Sequence, residues 1–211
     1  MASPATPTTY ALLLNQIEDH LNRSDVDTEG VSALMVSMFE DEANDRVKHH
    51  ERRIRSTASL TSQYLDLPDD WMYPLTVRLI TSGHITPLDF VTPQNMQDYR
   101  ADAGEAVGRP RFITTSDDAL EVVPTPDDTY TIEMHYWGTI PALSASNTTN
   151  WLLDRHPLLY LYGSLLHAEA YFQNDARVLL WERFVEKKYA AMDKTYDESF
   201  GQTRTRIRAI G

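Results

Sequence analysis

The sequence predicts an α+β protein, a four-helix-type bundle made of N- and C-terminal helices with a small antiparallel β-rich domain inserted and an extended C-terminal tail. Three observations predict it. Apolar residues recur at helical spacing near both ends, the middle carries short alternating segments between Asp/Pro/Gly turns, and the last residues after Gly201 alternate with a period of two. At 211 residues, 42% hydrophobic and without cysteine, the chain is long enough to bury a real core. A cysteine nucleophile, a disulfide framework and thiolate metal sites are thereby excluded.

The helical segments come first. Tyr10, Leu13, Leu14, Ile17 and Leu21 form one stripe of a helix spanning about 9–22, with Thr8 or Thr9 as N-cap. A polar stretch from Asn22 to Gly30 ends it. Val31, Leu34, Met35, Met38, Phe39 and Ala43 mark a second helix running towards Val47, its methionines read as core filling. These two helices define an N-terminal hairpin, residues 1–50.

The next segment, 51–149, is predicted as the β-rich insertion. Strands are expected around Ile54 to Leu60, Tyr64 to Leu67, Leu75 to Ile80 and Ile85 to Val91, with Leu67-Pro68-Asp69-Asp70-Trp71 as a turn. Thr92 can cap a short helix that has Pro93 at its first position. Phe112 to Thr115, Ala119 to Val123 and Thr129 to Trp137 follow as strands. They are separated by Asp117-Asp118 and by Pro124-Thr125-Pro126-Asp127-Asp128.

From Ser144 to Asn150 the chain reads as a loop. Residues 150–200 are then expected to hold helices that pack on the N-terminal pair: one opened by Pro157 and carrying Leu158, Leu161, Tyr162, Leu165, Leu166, Glu169 and Phe172, and, after Gln173-Asn174-Asp175, one carrying Val178, Trp181, Val185, Tyr189 and Met192. Residues 201–211 form the basic tail, with Arg204, Arg206, Ile207 and Arg208 suited to ordering on a partner.

Charge separates the function classes. The chain carries 31 acidic and 19 basic side chains, for a net −12, and residues 61–150 hold 13 acidic against 4 basic. Sequence-specific DNA binding needs a Lys/Arg face, and none is visible before the C-terminal end. The N-terminus lacks a basic-then-apolar leader and no run is long enough to span a bilayer, so the protein is expected to be made in the cytoplasm and not inserted in a membrane.

The chemical motifs are weak. Asp25-Val26-Asp27-Thr28-Glu29-Gly30 matches the opening of a calcium loop, but Val36 occupies the place of the bidentate glutamate. His49 and His50 are adjacent, cannot chelate one ion together and are expected at the surface; no metal or cofactor is implied. Tyr162-Gly163-Ser164-Leu165 lacks the second glycine of a nucleophile elbow. The paired carboxylates Asp69-Asp70, Asp117-Asp118 and Asp127-Asp128 fall in turns, where Asp is solvated and caps local backbone. No enzyme is expected. A small soluble enzyme would need a pocket of convergent polar groups, and a nucleic-acid module a basic stripe.

A longer series is distinctive as a string. It runs through Tyr130-Thr131-Ile132-Glu133-Met134-His135-Tyr136-Trp137, Ile140-Pro141-Ala142-Leu143-Ser144, Thr149-Asn150-Trp151-Leu152-Leu153, Pro157 to Leu166, Glu169-Ala170 and Asn174-Asp175 before Trp181. With the earlier Leu67 to Trp71, Phe90-Val91-Thr92-Pro93 and Gly108-Arg109-Pro110-Arg111-Phe112, it resembles the head-to-tail adaptor proteins of tailed bacteriophages, also called connector or tail-tubular adaptors, over about Val31 to Met192. The resemblance implies a virion structural protein at the neck. It would form a ring, commonly of twelve copies, between the portal protein and the tail tube or nozzle proteins, with genome DNA passing through the lumen without sequence-specific binding. A neck or tail-completion protein without direct portal contact is the alternative. In such a ring Asp117, Asp118, Asp127 and Asp128 would suit a DNA-repelling lumen, and Arg204, Arg206, Ile207 and Arg208 would suit the portal interface.

Overall fold

A computed structural model describes residues 6–22, 30–81, 83–104, 107–173 and 175–207. The described residues are mixed α and β, with six α-helices and two four-stranded sheets. The helices are α1 (Tyr10–Leu21), α2 (Val31–Arg46), α3 (Pro93–Ala103), α4 (Trp151–Arg155), α5 (Pro157–Tyr171) and α6 (Asp175–Ile207). The strands are β1 (Arg53–Leu60), β2 (Tyr64–Asp66), β3 (Trp71–Thr81), β4 (His84–Pro87), β5 (Asp89–Phe90), β6 (Phe112–Ser116), β7 (Ala119–Val123) and β8 (Tyr130–Gly138). Two units result: a helical one from residues up to Glu51 and from Ile140 onward, and a β unit from Arg52 to Thr139.

Local chemistry sets the helix ends. The Thr9 hydroxyl accepts from the Leu12 amide at 3.4 Å and that of Thr92 from the Asn95 amide at 3.3 Å. Each satisfies an amide that the first turn leaves without a partner. Pro93 and Pro157 stand in first turns, where a missing N–H costs nothing. Asn150 caps α4 by accepting from the Leu153 amide at 2.9 Å.

In the helical unit α5 packs against α1, α2, α4 and α6. Its buried residues include Leu159, Tyr160, Leu161, Ser164, Leu165 and Ala168, which together go round the helix, as a central helix requires. α1 contributes Leu13, Ile17 and Leu21, and α6 contributes Val185, Tyr189 and Met192. α2 corrects the predicted face. Leu34 and Met38 are 50% and 43% exposed, while Val36 and Glu40 are buried. The helix is turned so that Glu40 meets polar partners: its Oε1 accepts from the Leu143 amide at 2.8 Å and from the Tyr160 hydroxyl at 2.9 Å. Gly163 brings α5 close to α2, because a Cβ there would stand 2.0 Å from Cδ2 of Phe39.

In the β unit the first sheet has order β1-β8-β3-β4 and is antiparallel throughout. The second has order β2-β7-β6-β5, parallel only between β5 and β6. Leu60, Val77, Leu79, Ile132, Met134 and Tyr136 of the first sheet share one core with Ile113, Leu120 and Val122 of the second. α3 lies against β6 and β7, its Tyr99 ring stacked on Phe112 at 4.2 Å.

The expected extended tail is also corrected. The backbone remains helical through Ile207, so Gly201 does not end α6. Adding residues to an existing helix costs less than starting a new element, and arginine is a good helix former.

Two substitutions test this packing by urea unfolding. Gly163→Ala should destabilise by about 1–3 kcal/mol through overpacking against Phe39. Glu40→Leu should cost about 1–3 kcal/mol by leaving the Leu143 amide and Tyr160 hydroxyl without an acceptor, whereas Glu40→Gln, which keeps one, should cost less. Equal losses for the two Glu40 variants would contradict the acceptor role.

Candidate assembly surfaces

The acidic turns do not form one cluster. Asp117 and Asp118 make the exposed turn between β6 and β7; Asp117 has φ 54°, a left-handed conformation that Asp tolerates. The Asp118 carbonyl accepts from the Leu67 amide at 2.9 Å, which holds the turn against the segment before β3. With Asp69, Pro68, Trp71 and Met72, both aspartates line a depression of about 640 Å³. Asp127 and Asp128 lie elsewhere, exposed before β8. Asp127 accepts from the Tyr130 hydroxyl and Asp128 from the Thr129 amide, each at 2.6 Å.

Asp70 departs from its pair. Its Oδ1 accepts from the Tyr136 hydroxyl at 2.7 Å and its carbonyl from the Thr139 amide at 2.8 Å, so it fastens the start of β3 to the end of β8. Burial, then this carboxylate, pushes the Tyr136 hydroxyl up. The turn reading explains Asp69 but not Asp70.

Glu133 on β8 was not singled out by its sequence and is 5% exposed. Arg55 reaches it through Nε at 2.6 Å, His135 lies at 3.2 Å and Arg78 at 3.8 Å. The Arg55 and His135 hydrogen bonds hold its carboxyl below the usual carboxylate range. A lone acid inside an apolar strand is a signal, but its arginines sit on β1 and β3 and are adjacent only once the strands pair.

His49 corrects the surface expectation. It is buried, stacked on Trp151 at 5.2 Å, with His50 at 4.1 Å and His156 at 6.3 Å between ring centroids. Among the described residues no group of three or more His, Cys, Asp or Glu is placed to hold a metal ion. The calcium-like loop from Asp25 to Glu29 lies outside the described residues. Ser164 sits fully buried within α5, away from any strand-to-helix elbow.

Of the tail candidates, Arg204, Arg206 and Ile207 fall on the helical backbone of α6. Their side chains, and Arg208 altogether, lie outside the described residues. Leu179 and Leu180 near the start of α6 are exposed, as are Leu34 and Met38 one turn apart on α2. Apolar groups of this kind on an outer helix face suit contact with another protein. No helix among the described residues is long and apolar enough to cross a membrane.

Among known proteins, the family model described as SU10 adaptor protein matches residues 8–208. No curated protein matches the chain.

The histidine group sets a pH dependence. Burial first, then the charges of His50, His156 and Arg155, lowers the His49 pKa; burial, then Arg155 and Lys188, lowers that of His156. Below about pH 6.5 the unfolded chain therefore binds more protons than the folded one, and these residues' contribution to stability is lost as pH falls. The melting temperature of the His49→Gln/His156→Gln variant should fall less than that of the parent between about pH 7.5 and about pH 5.5. Equal falls would contradict the assignment.

Proposed function

Since the chain belongs to the SU10 adaptor protein family, a phage adaptor family, we propose that it is a non-enzymatic virion protein that forms the ring between portal and tail. The observation that carries this reading is the extent of the family match, residues 8–208, which takes in both the helical and the β unit. In this reading α1, α2, α5 and α6 form a four-helix-type body. Twelve copies close around a channel for genome DNA, and tail tube or nozzle proteins attach below.

The length of α6 supports a portal contact at its end. Its 33 residues span about 50 Å, more than twice the length of the 15-residue α5. Among the described residues of α6, the last in the helical core is Met192. Arg204, Arg206, Ile207 and Arg208 come after it and form the proposed portal-binding segment, presented by a helix end in place of a strand. Basic residues suit a helix C-terminus and give the contact charge selectivity. Asp127 and Asp128 are exposed before β8 and are proposed to face the lumen, where they would repel phosphate; Asp117 and Asp118 line the separate depression beside Asp69 and are not assigned to it.

Electron microscopy of the chain mixed with portal rings tests the reading. A cyclic density seated under the portal is expected, and bare portal rings beside folded protein would overturn it. Deleting residues 201–211 should weaken portal binding about tenfold or more without changing the melting temperature; undiminished binding would remove the α6 end from the interface. Changing Asp127 and Asp128 to Asn should slow DNA ejection, and an unchanged rate would place them off the channel.

A further inference from the structure

Within the β unit, α3 lies against the second sheet, while the outer face of the first carries the exposed Arg53, Arg55 and Tyr73. Strand register arranges that face in rows: Arg53, Trp137 and Tyr73; then Arg55, His135 and Thr76; then Thr57, Glu133 and Arg78. The Arg53 guanidinium lies over the Trp137 ring, 5.2 Å from its centroid. The Arg55 side chain and the Tyr73 residue are each 64% exposed. Glu133 is the one carboxylate in these rows, so three arginines leave the face positive. Its setting is the opposite: residues 52–139 carry 13 acidic and 7 basic side chains.

At one end of the same unit is the depression lined by Asp69, Asp117 and Asp118, with Pro68, Trp71 and Met72 as apolar lining and Tyr73 at its border with that outer face. The geometry points to an interface between copies of this chain, in which the arginine face of one copy docks on the acidic depression of the next. The patches are complementary in charge, and Arg, Trp, Tyr and Met are residue types favoured at protein interfaces. The patches differ, so the contact is head to tail and continues from copy to copy until it closes. Nucleic acid is a poorer occupant. A polyanion must approach a chain of net charge −12, and a face with so small a positive excess releases few counterions. This inference rests on the ring reading and names the surfaces that would build the ring.

Two full-length charge variants test it by sedimentation velocity over a concentration series. Asp69→Lys/Asp118→Lys makes the depression basic; Arg53→Glu/Arg78→Gln reverses the sign of the face, leaving one arginine against two carboxylates, with Arg55 still on Glu133. The parent should self-associate, and each variant alone should do so about tenfold more weakly or less. An equal mixture of the two should regain species larger than a dimer, because each then offers the other a complementary patch. Recovery in the mixture also shows that both variants are folded. Variants that associate like the parent would overturn these surfaces and leave the ring reading standing, provided the parent still seats under a portal. A parent that stays monomeric with a mixture that does not associate, or a mixture that stops at two copies, would overturn the head-to-tail contact. Salt-sensitive retention of DNA by the parent, lost in Arg53→Glu/Arg78→Gln, would overturn it in favour of nucleic acid.

Discussion

The helical unit depends on one buried carboxylate. The chain leaves this unit at Glu51 and returns at Ile140, so its halves meet through packing, hydrogen bonds and ion pairs such as Arg46–Glu186. α2 receives the returning segment with two polar side chains: Asn44 accepts from the Ile140 amide at 2.8 Å, and Glu40 accepts from the Leu143 amide and the Tyr160 hydroxyl. Asn150 extends the set, donating to the Pro141 carbonyl at 2.7 Å and to Tyr160 at 2.6 Å while capping α4. Burial raises the Glu40 pKa and the two donors oppose that rise, as expected of an acid kept inside by its hydrogen bonds. The apolar core supplies most of the driving force, and this network fixes the register in which the returning segment meets α2 and α5.

The β unit uses charge differently. Asp117, Asp118, Asp127 and Asp128 lie at exposed turns and bends, where solvent is close. Glu133 lies within β8, satisfied by arginines from the strands on either side. A carboxylate at this depth without those partners would carry an uncompensated desolvation cost. The arrangement leaves one arginine-bearing face and one acidic end on the same small domain. For a protein that works by assembly, such an asymmetric distribution selects partners and orientations more than it adds stability.

Much of the secondary structure was legible because its determinants are local. Thr9, Thr92, Pro93 and Pro157 act within three or four residues of themselves, and alternation with Asp-rich turns marked β6, β7 and β8. What was missed depends on distant partners. Which face of α2 is buried depends on Glu40 meeting residues more than 100 positions away. Asp69 and Asp70 are identical in composition and turn context, yet only Asp70 meets Tyr136. His49 reads as one of two surface histidines until Trp151 stacks on it. The Thr/Arg alternation after Gly201 fits a strand in isolation, but it continues a helix that is already formed. The functional reading came from string resemblance, carried by strand, turn and helix segments such as Tyr130 to Trp137 and Pro157 to Leu166.

A buried network that joins two chain segments, a small domain with an arginine face and an acidic depression, and a long final helix with a basic end suit the proposed ring subunit. The most direct test is to examine particles assembled in an infection from which this chain is absent. The account predicts filled heads without tails, and tails restored when the chain is supplied. Tailed, infectious particles formed without it would contradict the account.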